Sequence, residues 1–301
     1  MSTNITVRGI SVKNPWYAQN GDGIDVESCR YVLIENSVFD VGDDGLCMKS
    51  GRDEEGRKRA MPTQDVIIRN CTVYNSHGGF VIGSEMSGGA KNIYVSNCTF
   101  VGSDIGLRFK TTRGRGGVVE NIYINNIVMK NIPGEAILFD MYYAAQDPIA
   151  LAGEKREAPR VEFKPVSEET PQFKNIFIKN VVCDGADKAI FVRGLPEMNI
   201  HDINLENITI TSKKGMDISE AYNINLTNVN LVTTTVDAPV IEIVNSHDIN
   251  FKKLTTSSQP PLILRMGGDR TNNIRWINST PLKQTQYVIE FGAAANSLQI
   301  K

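Results

Sequence analysis

The sequence predicts an all-β fold, a right-handed parallel β-helix running as one domain over residues 1–301, and three observations carry that reading. One short phrase recurs along the chain, as it must in an array of stacked repeats. Each occurrence alternates apolar and polar residues, the period of a strand with one buried face. A second short apolar strand follows each occurrence, with no helix expected between them.

The phrase begins as NITVRGISV at Asn4 and returns as YVLIENSVF at Tyr31, DVIIRNCTV at Asp65, NIYVSNCTF at Asn92 and NIYINNIVM at Asn121. It continues as NIFIKNVVC at Asn175, DINLENITI at Asp202 and NINLTNVNL at Asn223. β-Branched residues flank its central asparagine, as strands favour. That asparagine falls at Asn36, Asn70, Asn97, Asn126, Asn180, Asn207 and Asn228, with gaps of 34, 27, 29, 54, 27 and 21 residues. The gap of 54 holds either two coils or one long loop. The asparagines are expected to stack as a ladder in an inner turn, which accounts for the sequons at Asn70, Asn97 and Asn207 better than glycosylation does.

The second strands read GIDV, GLCMK, GFVIG, GLRFK, AILFD, AIFVR, GMDIS and VIEIV. Aligned, they set Ile24, Leu46, Phe80, Leu107, Ile137 and Ile190 in one inward column, and Val26, Met48, Ile82, Phe109, Phe139 and Val192 in another. These columns are the expected core. Two or three short strands per repeat stack as coils about 4.8 Å apart. Residues 52–63 and 144–172 break the rhythm with charge and proline, and read as loop insertions that are either solvated or walls of a cleft.

The formal charge of −2 supplies no basic field for nucleic acid, and no apolar run approaches the roughly 18 residues of a membrane span, so neither partner is expected. Cys29, Cys47, Cys71, Cys98 and Cys183 lack zinc or disulfide spacing and read as buried free thiols. The N-terminal residues carry no secretion signal. The first phrase already belongs to the repeat, so the stack is expected to open on unpaired strand edges and to fray or self-associate there.

Polar residues gather on one face. The turns before the second strands carry Asp22, the adjacent pair Asp43 and Asp44, and His77, while Asp25, Lys49, Arg108 and Lys110 lie on the outward side of those strands. Asp22 precedes Asp43 by 21 residues, one coil, so three carboxylates share a patch. Tyr143 follows one coil beyond Lys110. Singly, each has a bland role: an Asp-Asp-Gly turn, a turn histidine, strand-face ion pairs. Convergence on adjacent coils points to chemistry. Two adjacent carboxylates repel, so one tends to hold its proton unless cations relieve it. An acid beside ionised carboxylates is what glycosidic hydrolysis needs.

The segments NGDG, GDDG, SHGG and RFK, in this order and spacing, resemble the four signature segments of the polygalacturonases, glycoside hydrolase family 28, which have the pectin-lyase-like solenoid fold. Gly21 stands where threonine is usual, Ser76 where glycine often precedes the histidine, and fewer residues than usual precede the first segment. The resemblance implies inverting hydrolysis of α-1,4-linked galacturonic acid without a cofactor, in a secreted or periplasmic setting. It makes Asp43 the general acid, has Asp22 and Asp44 position the water, and has His77 assist the acid. Arg108 and Lys110 would grip a galacturonate carboxylate of an acidic polysaccharide or oligogalacturonide, with Tyr143 as a further contact. End-acting cleavage is expected from the insertions. The rivals are a calcium-dependent pectate lyase using the same aspartates as ligands, and a non-catalytic β-helix that binds acidic glycan.

Overall fold

A computed structural model describes residues 1–143, 161–256 and 260–301. The first coil holds β1 (Thr3–Arg8), β2 (Ser11–Lys13) and β3 (Ile24–Glu27). The second holds β4 (Arg30–Glu35), β5 (Val38–Asp40) and β6 (Leu46–Lys49), and the third β7 (Thr63–Arg69), β8 (Thr72–Tyr74) and β9 (Gly78–Ile82). From the fourth coil some strands run together around the corners: β10 (Ala90–Val101), β11 (Ile105–Lys110), β12 (Val118–Asp140), β13 (Gln172–Arg193) and β14 (Ile200–Ser219). The stack closes with β15 (Ala221–Thr233), β16 (Ile241–Val244), β17 (His247–Thr256), β18 (Leu264–Gly267), β19 (Asn272–Ile277), β20 (Tyr287–Glu290) and β21 (Leu298–Ile300).

Each strand pairs in parallel with its equivalent one coil on, making a right-handed parallel β-helix. The inward columns are those expected: Ile24 pairs with Leu46, Leu46 with Phe80, Phe80 with Leu107, Leu107 with Ile137 and Ile137 with Ile190. All but the half-buried Ile24 are buried. Phe109 stacks on Phe139 with centroids 4.4 Å apart and meets Phe80 edge-on at 6.3 Å. This close-packed interior is the rigid floor beneath the polar face.

The asparagine ladder exists, but on the outside of the corner rather than in an inner turn. Asn36, Asn70, Asn97, Asn126 and Asn228 are exposed, and each central asparagine has φ between 53° and 56°. At that left-handed corner the chain bends, and asparagine tolerates the conformation better than most non-glycine residues. The amide of Asn70 donates to Asn36 at 3.1 Å, Asn126 to Asn97 at 3.1 Å, Asn207 to Asn180 at 3.0 Å and Asn228 to Asn207 at 2.7 Å. A second left-handed corner at the head of the phrase carries Asn92, which donates to Asp65 at 2.9 Å.

The 54-residue gap is one coil and a long excursion, since Ile127 pairs directly with Val181. Of the expected 144–172 insertion, residues 144–160 lie outside the described residues, and β13 begins at Gln172. The expected loop at 52–63 instead holds a helix, α1 (Asp53–Arg59). Asp53, Glu54 and Glu55 fill its first turn and Arg57, Lys58 and Arg59 its last, the arrangement that complements a helix dipole. Its charge was the reason to read a solvated loop and is what favours the helix.

Coils are also tied by charge. Glu35 accepts hydrogen bonds from Arg69 at 2.7 Å and from Arg8, joining the first three coils, and these two partners hold its carboxyl below the ordinary 4.5. A depressed folded-state pKa stabilises the fold above the unfolded value, and that contribution disappears as pH falls through the folded one. Glu35→Gln is therefore expected to lower the melting temperature at pH 7 and to converge with the parent protein as pH drops below 4.5. Melts recorded from neutral to acid pH check this; a constant difference across the range overturns it.

Candidate active site

The turns that precede β3, β6 and β9 lie in register, so their polar residues line one rim. Gly23 N–H donates to Asp44 O at 2.8 Å, and His77 N–H to Asp43 O at 2.9 Å. The glycines that follow the acids are required by this stacking. A Cβ on Gly23 would lie 2.4 Å from Gly45 O, and one on Gly45 would lie 2.4 Å from Val73 Cγ1. Thus the recurrent Asp-Gly is a close-approach requirement as much as a turn signal.

The structure brings together all the expected site residues. One carboxylate oxygen each from Asp22, Asp43 and Asp44 lies within 4.8 Å of the others. Their surroundings differ sharply. Asp44 is buried, with Lys110 Nζ 2.7 Å from its Oδ2 and Arg108 Nη1 3.2 Å from its Oδ1. Asp22 receives Lys49 Nζ at 3.2 Å, and Lys49 also reaches Asp25 at 2.8 Å. Burial raises the Asp25 carboxyl, and Lys49 opposes that rise.

Asp43 is different. Its side chain is 23% exposed against 13% for Asp22 and 2% for Asp44, and among the described residues its ionic partner is His77, Nδ1 to Oδ1 at 3.1 Å. The same Oδ1 accepts the Asp44 backbone N–H at 2.9 Å. So the repulsion expected of the adjacent pair is relieved on one side only, by the two cations on Asp44.

Arg108 and Lys110 were expected to point outward, as grips for a substrate carboxylate or singly as partners in ion pairs. They face the groove side of β11, but Lys110 is buried and both cations already bind Asp44. Tyr143 closes over them, its ring centroid 5.0 Å from Lys110 Nζ and 5.7 Å from Arg108 Cζ. Beneath Asp44, Cys47 directs Sγ toward Oδ2 at 3.8 Å; burial pushes this thiol well up, so it remains a neutral donor.

Two contributors escaped sequence reading. Asp104 lies one turn beyond His77, with Oδ2 3.9 Å from Nε2. Continuing the turn column from SHGG to GSDIG would have found it. The bridging role of Lys49 was hidden because alternation gives its face and not its partners.

A calcium ion wants six to eight oxygen ligands, and one bound at Asp22, Asp43 and Asp44 would have to displace cations already paired there.

The fold and site together define a class: a parallel β-helix with a cluster of three carboxylates flanked by cations. The chain belongs to the glycosyl hydrolases family 28, whose family model matches residues 1–212. It is 30% identical over 210 residues to a probable polygalacturonase of Vitis vinifera, covering 69% of this chain and 40% of that protein. To an exo-poly-alpha-D-galacturonosidase of Dickeya chrysanthemi it is 24% identical over 237 residues, covering 75% and 37%. An exopolygalacturonase structure from Thermotoga maritima superposes with a TM-score of 0.61 at 33% identity, covering 76% of this chain and 46% of that one. The Yersinia enterocolitica family 28 exopolygalacturonase shares the fold, with a TM-score of 0.64 at 19% identity over 93% of this chain and 43% of that one. The chain thus spans 40% and 37% of the two curated relatives. No helix of the described residues is long and apolar enough to cross a membrane.

Proposed function

We propose that this chain hydrolyses α-1,4-linked galacturonic acid in acidic pectic polysaccharide or oligogalacturonide, acting outside the cytoplasm as a secreted or periplasmic enzyme. The observation that carries the reading is the asymmetry of the three carboxylates. Asp43, the most exposed and the one with no Lys or Arg partner among the described residues, is the general acid that protonates the leaving oxygen. His77 orients it and supplies a proton path. Asp22 and Asp44, each balanced by cations, hold and activate the attacking water. Lys110 has three N–H donors and Arg108 five, so after serving Asp44 both retain donors for a uronate carboxylate.

The family resemblance implies inversion at the anomeric carbon. Retention would need a carboxylate nucleophile about 5–5.5 Å from the acid, and the nearest oxygens of the three carboxylates do lie within 4.8 Å of one another. Neither Asp22 nor Asp44 is a free nucleophile, however, since Lys49 holds the first and Arg108 with Lys110 the second. The anomer first formed, read by NMR, decides between the two.

End-acting cleavage is supported by the wall beside the site strands. Arg57 of α1 pairs with Glu169 at 3.2 Å, and the Glu169 carbonyl accepts from Gly114 N–H at 3.0 Å and Gly116 N–H at 2.9 Å, so both insertions join at one edge. The test is product analysis on polygalacturonate and short oligogalacturonides. Saturated galacturonate monomer from the outset is expected. Unsaturated products abolished by chelator would mean a lyase, and binding without turnover a non-catalytic module.

A further inference from the structure

Trp16 and Tyr17 stand out on the acid-bearing rim. They lie 77% and 72% exposed, whereas the other tryptophan, Trp276, is buried at 1%. Tryptophan is mostly buried in folded proteins, so an exposed pair of large aromatics calls for a partner. The two rings meet edge-on with centroids 5.7 Å apart, which leaves ring faces open rather than stacked against each other.

Their segment is fixed to the catalytic turns. Asn14 N–H donates to Asp40 O at 3.0 Å, the Asn14 side chain donates to Asp22 O at 3.0 Å, and Ala18 N–H closes on Pro15 O at 2.9 Å. Gly42, the residue before Asp43, lacks room for a side chain: a Cβ there would lie 2.5 Å from both Pro15 O and Trp16 O. The aromatics are thus carried by backbone that touches the neighbours of Asp22 and Asp43.

We propose that Trp16 and Tyr17 form a stacking surface for the pyranose ring of the uronide unit next to the carboxylates on the first-coil side. This rests on the reading of the site as a uronide hydrolase. The C–H face of a pyranose is apolar with slightly positive hydrogens and meets the negative face of an aromatic ring favourably. At a rim carrying Asp22, Asp43 and Asp104, such contact attracts a sugar without asking its carboxylate to approach like charge. Charge recognition by Arg108 and Lys110 at Asp44 and ring stacking at the first coil then hold the substrate at two points.

The two-tryptophan composition makes the site readable. In the full chain carrying Asp43→Asn, titration with tri- and tetragalacturonate is expected to shift Trp16 fluorescence and shield it from acrylamide, with Trp276 silent. Trp16→Phe should abolish the signal and keep binding by calorimetry, while Trp16→Ala should weaken trisaccharide binding about tenfold and monosaccharide binding less. Calorimetric binding with unchanged Trp16 fluorescence and quenching, or undiminished affinity in Trp16→Ala, overturns the proposal while leaving the hydrolase reading intact. Absence of any oligogalacturonide binding by calorimetry overturns both.

Discussion

Asp43→Asn is expected to remove nearly all turnover while substrate still binds. The asparagine keeps the shape and the acceptor for the Asp44 N–H, and removes only the proton that the leaving oxygen needs. Loss of a general acid costs about 10² to 10⁴ in rate. The side chain has no Lys or Arg partner to orphan among the described residues, and asparagine can still meet His77, so stability should change little. The discriminating measurement uses substrates with progressively more acidic leaving groups. A leaving group that departs without protonation should recover much of the lost rate in the variant, because the acid is then dispensable. Equal losses for good and poor leaving groups, or near-normal turnover of oligogalacturonide, would move the acid to another residue.

Why that role is proposed for Asp43 rather than its neighbour shows where sequence reading stops. The repeat phrase and the alternation of its strands made the coils legible, because a one-residue slip would turn every inward column to solvent. Leu46, Phe80 and Leu107 could therefore be aligned from spacing alone, and the same spacing brought Asp22, Asp43, Asp44 and His77 to one rim. Alternation gives the face a side chain occupies. It does not give the depth or the partner, which depend on how far a long side chain reaches across coils. Lys110 and Arg108 stretch back two coils to Asp44, and Lys49 one coil to Asp22, so cations whose face was legible carry internal pairs that spacing did not name. The ladder was placed inside for a related reason: the repeat shows that the asparagines stack but not which way they face, and the left-handed corner turns the side chain out. Helix α1 escaped because its stability comes from charge order within seven residues, too short for a periodic signal.

Those internal pairs make Lys110→Met the second large effect, on stability as well as activity. The ammonium lies 2.7 Å from Asp44 Oδ2, with side chains 8% and 2% exposed. Removing one partner of a buried pair leaves a desolvated charge, at a cost of about 3–5 kcal/mol when no other cation remains. Arg108 still reaches Oδ1, so the lower end of that range is expected. Uronate turnover should fall with it, since the same ammonium is proposed to receive the substrate carboxylate. The two losses separate by substrate: in folded Lys110→Met, turnover of uronides should fall while that of neutral galactosides changes much less, because only the uronide presents a carboxylate to the missing ammonium. Denaturant unfolding and turnover measured on the same preparations check this. If Lys110→Met unfolds like the parent, the buried pair contributes nothing to the fold; if uronides and neutral galactosides lose turnover equally, the role of Lys110 is structural alone.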